Sequence, residues 1–148
     1  MGLPSAAELG KLPLFGGLAE DQLRVFAEAA AAREYAPGEA VFREAEVARE
    51  LFVLAAGALE VHKEAREGPI TLWKIRPGES FGEMSLIDMQ PRSASVVATA
   101  PATAWCWSYA MFRERYCADG KCYTLVVMNI ARELSRRLRR ADDLLAAR

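Results

Sequence analysis

Histidine is almost absent from this chain, and His62 is the single one. No His-Glu-x-x-His or P-loop occurs, so the common signatures of zinc peptidases and nucleoside triphosphatases are missing. Ser85, Ser93 and Ser95 have no evident base to make them nucleophiles. Phosphate-ester hydrolysis would call for metal ligands or a general base nearby. The sequence therefore reads as a binder, with no catalytic residue, no metal site and no cofactor. Cysteine is scarce too. Cys106, Cys117 and Cys122 are an odd, sparse set rather than a disulfide framework. A metal shared by Cys117 and Cys122 would need further ligands, so idle thiols are the better reading. No apolar run reaches the length of a membrane span. The N-terminus has no basic start followed by an apolar block, as a secretion signal would. Met1-Gly2 opens a myristoylation-like pattern that Leu3-Pro4-Ser5-Ala6 does not complete. Net charge is −1, which gives no global pull toward nucleic acid or membrane. These absences point to a cytoplasmic protein with neither as a partner. A chain of 148 residues, 52% hydrophobic, fits a single domain with a full core.

What is present concentrates in Phe81 to Val96, Phe-Gly-Glu-Met-Ser-Leu-Ile-Asp-Met-Gln-Pro-Arg-Ser-Ala-Ser-Val. Gly82 frees the backbone for close approach to a ligand. Glu83 offers a carboxylate to hydroxyl donors. Met84 to Ile87 lack strand alternation and suit one helical turn, whose exposed amides make an anion site. Pro91 stiffens the chain and Arg92 supplies a planar fork of donors suited to phosphate. Ser93 and Ser95 add hydroxyls. An anion cradle, a cation and a separate carboxylate together suit a small ligand with both a phosphate and free hydroxyls.

The segment resembles the phosphate-binding cassette of cyclic nucleotide-binding domains, Gly-Glu-Leu-Ala-Leu, a short spacer, then Pro-Arg-Ala-Ala-Thr. Gly82-Glu83-Met84-Ser85-Leu86 and Pro91-Arg92-Ser93-Ala94-Ser95 match it without a gap. The resemblance implies that Glu83 binds a ribose 2′-hydroxyl and Arg92 the cyclic phosphate. Gly82, the amides of Met84 and Ser85, and Ser93 would complete the cradle. It also implies a regulatory ligand, 3′,5′-cyclic AMP or cyclic GMP, with cyclic AMP preferred. Arg92→Glu should then abolish binding and spare the fold.

The remaining chain reads as mainly β with flanking helices: a double-stranded β-helix (jelly-roll) barrel between short N-terminal helices and a long C-terminal helix. Residues 1–34 form a helical leader, with a helix from Glu20 to Arg33 whose Leu23, Val25, Phe26, Ala29 and Ala30 share a face. Residues 35–107 carry short strands separated by turn signals such as Pro37-Gly38 and Pro77-Gly78, with the cassette at 81–96. Tyr-x-Pro-Gly-Glu-x-Val-Phe-Arg-Glu and Leu-Phe-Val-Leu-x-x-Gly-x-Leu-Glu-Val are similar to the family's first strands; Ala45 departs from it, standing where the family has Gly. Lys63 to Gly68 reads as a charged hairpin loop. His62 is expected to face solvent. Trp73, Trp105 and Trp107 are barrel residues, or one of them stacks on a base.

Residues 108–148 form the C-terminal helices. Ser108 is an N-cap for a short helix, Asp119-Gly120 breaks it, and one long helix follows from about Cys122. Val127, Ala131, Leu134, Leu138, Ala141 and Leu145 step four, three, four, three, four, an a/d seam. The seam pairs with a second copy or covers the chain's own barrel; the resemblance favours a homodimer. The arginines at 132, 136, 137, 139 and 140 are offset by acidic neighbours, with Glu133–Arg137 and Arg139–Asp143 at the stabilising spacing, so they read as a solvated face rather than a nucleic-acid grip. By comparison with the catabolite activator family, Arg137 is the candidate for reaching the base, with Asn129 an alternative. That family continues into a DNA-binding domain, and this chain stops at the long helix. It is expected to be a free-standing sensor acting on a separate effector protein, or a fragment.

Overall fold

The computed structural model describes residues 2–148; Met1, in the myristoylation-like opening, lies outside them. Eight strands form two antiparallel sheets: β1 (Ala31–Tyr35), β2 (Ala40–Phe42), β3 (Glu50–Ala56), β4 (Leu59–Ala65), β5 (Gly68–Ile75), β6 (Ser80–Phe81), β7 (Ser95–Ala98) and β8 (Ala102–Ser108). One sheet runs β1-β8-β3-β6 and the other β2-β7-β4-β5. No ladder joins the two among the described residues, so the expected barrel stays open as a two-sheet jelly roll.

Alternation along the strands builds two cores. Phe52, Leu54, Ala104 and Cys106 turn inward between the sheets, with Leu59 and Val61 of β4 and Val96 of β7. Leu51, Val53, Trp105 and Trp107 turn the other way, onto the helices. That is why β3 and β8 are apolar at nearly every position: both faces are covered. Their neighbour β4 alternates instead; His62 lies on its outer side, half-buried, with Nε2 2.9 Å from Glu60.

The helical core is assembled by α1 (Ala6–Gly10), a 3-10 turn (Pro13–Phe15), α2 (Glu20–Ala29), α4 (Tyr109–Ala118) and α5 (Gly120–Ala146). Ser5 and Glu8 close a capping box on α1. Phe15 packs on Phe26 and Trp107, whose Nε1 donates to the Phe26 carbonyl at 2.8 Å. Ser108 caps α4 through the Met111 amide and Asp119 caps α5 through Cys122. Asn129 of α5 donates to the Leu14 and Gly16 carbonyls. It ties the long helix to the leader and does not line the cavity that holds Glu83 and Arg92.

Two expectations need correction. The helix expected to run to Arg33 ends at Ala29, and Ala31–Tyr35 pairs with Ala102–Cys106. Ladder formation overrides the helix propensity of the alanine run. On α5, the face buried against the chain's own core is Cys122, Val126 and Ile130, a strip beside the seam. Val127 and Leu134 are half-buried, while Ala131, Leu138, Ala141 and Leu145 are exposed. The Arg139–Asp143 pair is not among the ion pairs of the described residues; Glu133 pairs with Arg136 and Arg137 instead.

The Pro-Gly turns echo each other closely. Glu39 and Glu79 donate their amides to Ala36 and Arg76 at 3.0 Å, and each glutamate carboxylate accepts from the first residue's amide. Gly38 and Gly78 then each donate across, to Ala98 and Leu54. The second turn sets β6, and with it the start of the cassette.

Candidate functional site

From β6 the chain turns at Gly82, φ 79°, into α3 (Met84–Asp88). A Cβ at Gly82 would stand 3.0 Å from Arg92 Nη1 and 3.3 Å from the Glu50 carbonyl. Glycine is required here both by the left-handed backbone and by the arginine lying against it.

Arg92 is 6% exposed. Its Nη1 donates to the Gly82 carbonyl at 2.8 Å and to the Tyr109 hydroxyl at 3.1 Å, and its Nη2 to the Glu50 carbonyl at 2.7 Å. The guanidinium lies 3.9 Å from the centroid of Phe42, a cation–π contact. Tyr109 also donates to the Gly82 carbonyl, and burial raises its phenol pKa. The backbone of Arg92 is held as well: Ala45 donates to its carbonyl at 2.8 Å, and its amide donates to Glu46 at 2.9 Å. Ala45 reaches that position with φ 73°. The loop thus keeps the left-handed geometry that glycine prefers, at a cost of about 1 kcal/mol.

Glu83 is 1% exposed. Its Oε1 accepts from Arg137 Nη1 at 2.7 Å, while Oε2 is buried with no hydrogen-bond partner. Burial pushes the carboxyl above the ordinary range, opposed chiefly by the Arg137 charge. Arg137 also donates to the Ser80 carbonyl at 2.5 Å and lies 3.3 Å from Glu133. Its guanidinium sits 5.3 Å from the Trp73 ring centroid. Among the described residues Arg137 is the one side chain of the long helix hydrogen-bonded to residues 81–96.

The sequence-predicted residues Gly82, Glu83, Met84, Ser85, Arg92, Ser93 and Arg137 all line one cavity of about 230 Å³. Mostly apolar walls with a few convergent polar groups are the usual make-up of a small-molecule site. Ser95 is not part of it; its hydroxyl accepts from the Glu44 amide. Of the tryptophans only Trp73 lines the cavity. Two further wall residues, Phe42 and Lys63, escaped the sequence reading. Lys63 was legible in principle: it follows Leu59 and Val61 at strand spacing, so it shares their inward face. Its Nζ donates to the Ser93 carbonyl at 2.6 Å and lies 3.4 Å from Glu44. Among the described residues no group of three His, Cys, Asp or Glu could hold a metal, and no helix is long and apolar enough to cross a membrane.

A family model for the cyclic nucleotide-binding domain matches residues 32–117, which run from β1 to α4. The cyclic AMP receptor protein of Thermus thermophilus is 38% identical over 131 residues, covering 88% of this chain and 59% of that protein. The regulatory subunit of cAMP-dependent protein kinase from Blastocladiella emersonii is 36% identical over 109 residues, covering 73% of this chain and 27% of that protein. The chain thus spans 59% or less of these two relatives' length. A cyclic nucleotide-binding domain structure from Methylobacillus flagellatus superposes with TM-score 0.85 at 25% identity, over 94% of this chain and 79% of that one. The cassette, the two-sheet fold and these likenesses agree, and the chain belongs to the cyclic nucleotide-binding domain family.

Proposed function

We propose that this domain is a cyclic nucleotide sensor that binds 3′,5′-cyclic AMP in the cassette cavity, without a cofactor, and passes the event to a separate effector through α5. One observation carries the reading: Glu83 and Arg92 share a cavity, and Glu83 has an oxygen with no donor. A buried acceptor without a partner costs about 1–3 kcal/mol, which a ribose hydroxyl would offset. That oxygen is covered in this geometry, so binding requires a rearrangement around Glu83; Arg137, bonded to its other oxygen, is the contact expected to shift with its helix. Ligand would select the shifted helix by population shift. The name of the Thermus relative supports cyclic AMP as the signal. The protein is expected to be cytoplasmic.

Titration calorimetry of nucleotide-free protein with cyclic AMP and cyclic GMP tests this. About one cyclic AMP per chain at micromolar affinity or tighter, with weaker cyclic GMP, is the expected outcome. Heat from neither would reject it. A second reading, a ligand-free interaction scaffold, draws on a specific observation. Arg92 already has protein acceptors for both terminal nitrogens, and Glu83 has an arginine.

The exposed strip of Leu138, Ala141 and Leu145 supports a homodimer through α5. Leu138→Glu with Leu145→Glu should halve the mass in sedimentation. Leu134 is a poorer choice because it packs on the chain's own core. An unchanged mass would exclude this interface.

A further inference from the structure

Among the described residues, Lys63 is the one cavity-lining cation outside residues 81–96 and the long helix. It stands at the Ser93 end of the site. Its neighbours on the inward face of β4, Leu59 and Val61, are buried; the Lys63 side chain is itself 45% exposed, and strand geometry sets it on the cavity side. Nζ has three donors. One goes to the Ser93 carbonyl at 2.6 Å and one toward Glu44 Oε2 at 3.4 Å, a long contact for a charge-assisted bond. Glu44 is meanwhile held by its other oxygen, which accepts from the Glu64 amide at 3.1 Å.

Arg92 presents a different case. Nη1 and Nη2 are both bonded to protein acceptors, and the side chain is buried. A phosphate arriving beside Ser93 would meet an arginine already committed to two carbonyls and a tyrosine. Lys63 has a donor to spare and a weakly held carboxylate that a ligand anion can replace. We infer that Lys63 is a second phosphate-binding cation of this site, and that Glu44 competes with the ligand phosphate for it. The inference rests on the proposed cyclic nucleotide reading and adds what that reading lacks, a cation free to change partner.

The test uses the full chain and calorimetric titration with cyclic AMP and with adenosine, which has no phosphate. Wild type is titrated first; no cyclic AMP binding would overturn the functional reading and this one together. Where wild type binds, Lys63→Gln should weaken cyclic AMP about three- to tenfold and leave adenosine unchanged. Lys63→Arg should restore most of the affinity, which guards against a folding defect. Glu44→Gln keeps the acceptor for the Glu64 amide and removes the competing charge, so it should tighten cyclic AMP about two- to threefold. The functional reading would survive and the lysine inference fail if Lys63→Gln weakened both ligands equally, or neither. Unchanged or weaker cyclic AMP binding in Glu44→Gln would remove the competition.

Discussion

Arg92 and Arg137 enter one cavity from different parts of the chain and are held in different ways. Arg92 follows the cassette helix, and its acceptors are the Gly82 and Glu50 carbonyls and the Tyr109 hydroxyl. These groups stay put while the sheets stay folded. Arg137 comes from α5, and its partners are the Glu83 carboxylate, the Ser80 carbonyl and Glu133. Only Glu133 belongs to its own element. The first arginine is part of the frame that shapes the site. The second joins the site to a separate helix, and under the proposed reading it would report what the site contains.

The difference is broken most severely at Arg92. Arg92→Ala removes the arginine donor from the Glu50 carbonyl and leaves the Gly82 carbonyl with Tyr109 alone, with an expected loss of about 3 kcal/mol of stability, read by urea denaturation, and cyclic AMP binding lost in calorimetry. The sequence expectation that Arg92→Glu would spare the fold is therefore too lenient: the same hydrogen bonds disappear, and a carboxylate replaces them among carbonyl oxygens. A stability within about 0.5 kcal/mol of wild type would contradict the frame role.

Arg137→Ala should cost less, about 2 kcal/mol at pH 8, and should make stability depend on pH. Glu83 already has a raised pKa through burial, held down chiefly by Arg137. Without the arginine it rises further, so the folded state holds a proton that the unfolded state gives up. Stability then falls as pH rises from the ordinary carboxylate range through the raised value. Melting of this variant should be higher at pH 5 than at pH 8, by a larger margin than in wild type. Equal margins would mean that Arg137 does not govern the Glu83 charge.

The smallest effect sharpens the frame. Ala45→Gly relieves the left-handed strain in the loop that binds the Arg92 backbone. The strain relief exceeds the added unfolded-state entropy only slightly, so a gain of about 0.5 kcal/mol is expected from thermal melts. A loss would show that the loop does not carry that strain.

The segment 81–96 was legible as a candidate site because it sets unusual residues at fixed spacing: a glycine at φ 79°, a carboxylate next to it, and an arginine after a proline. The two-sheet fold was legible from its turns. Residues 30–33 were misread because local propensity favours helix there and only the distant partner β8 decides otherwise. The long helix carries two adjacent apolar strips, and periodicity alone could not say which one faces the core. Lys63 was read at the junction of an alternating strand and a charged loop and given no role at the site, although β4 extends to Ala65 and the lysine lines the cavity. Arg137 came from family resemblance; no local pattern separates it from the other arginines of α5.

The three indoles have unequal surroundings. Trp105 and Trp107 donate to the backbone carbonyls of Gly2 and Phe26, away from the cavity. Trp73 lies on the cavity wall beside the Arg137 guanidinium, with Nε1 unbonded. The chain thereby carries its own optical probe. Two emitters give a steady background, and the third sits where a base or a departing cation would alter its fluorescence, so occupancy of the site can be followed without a label.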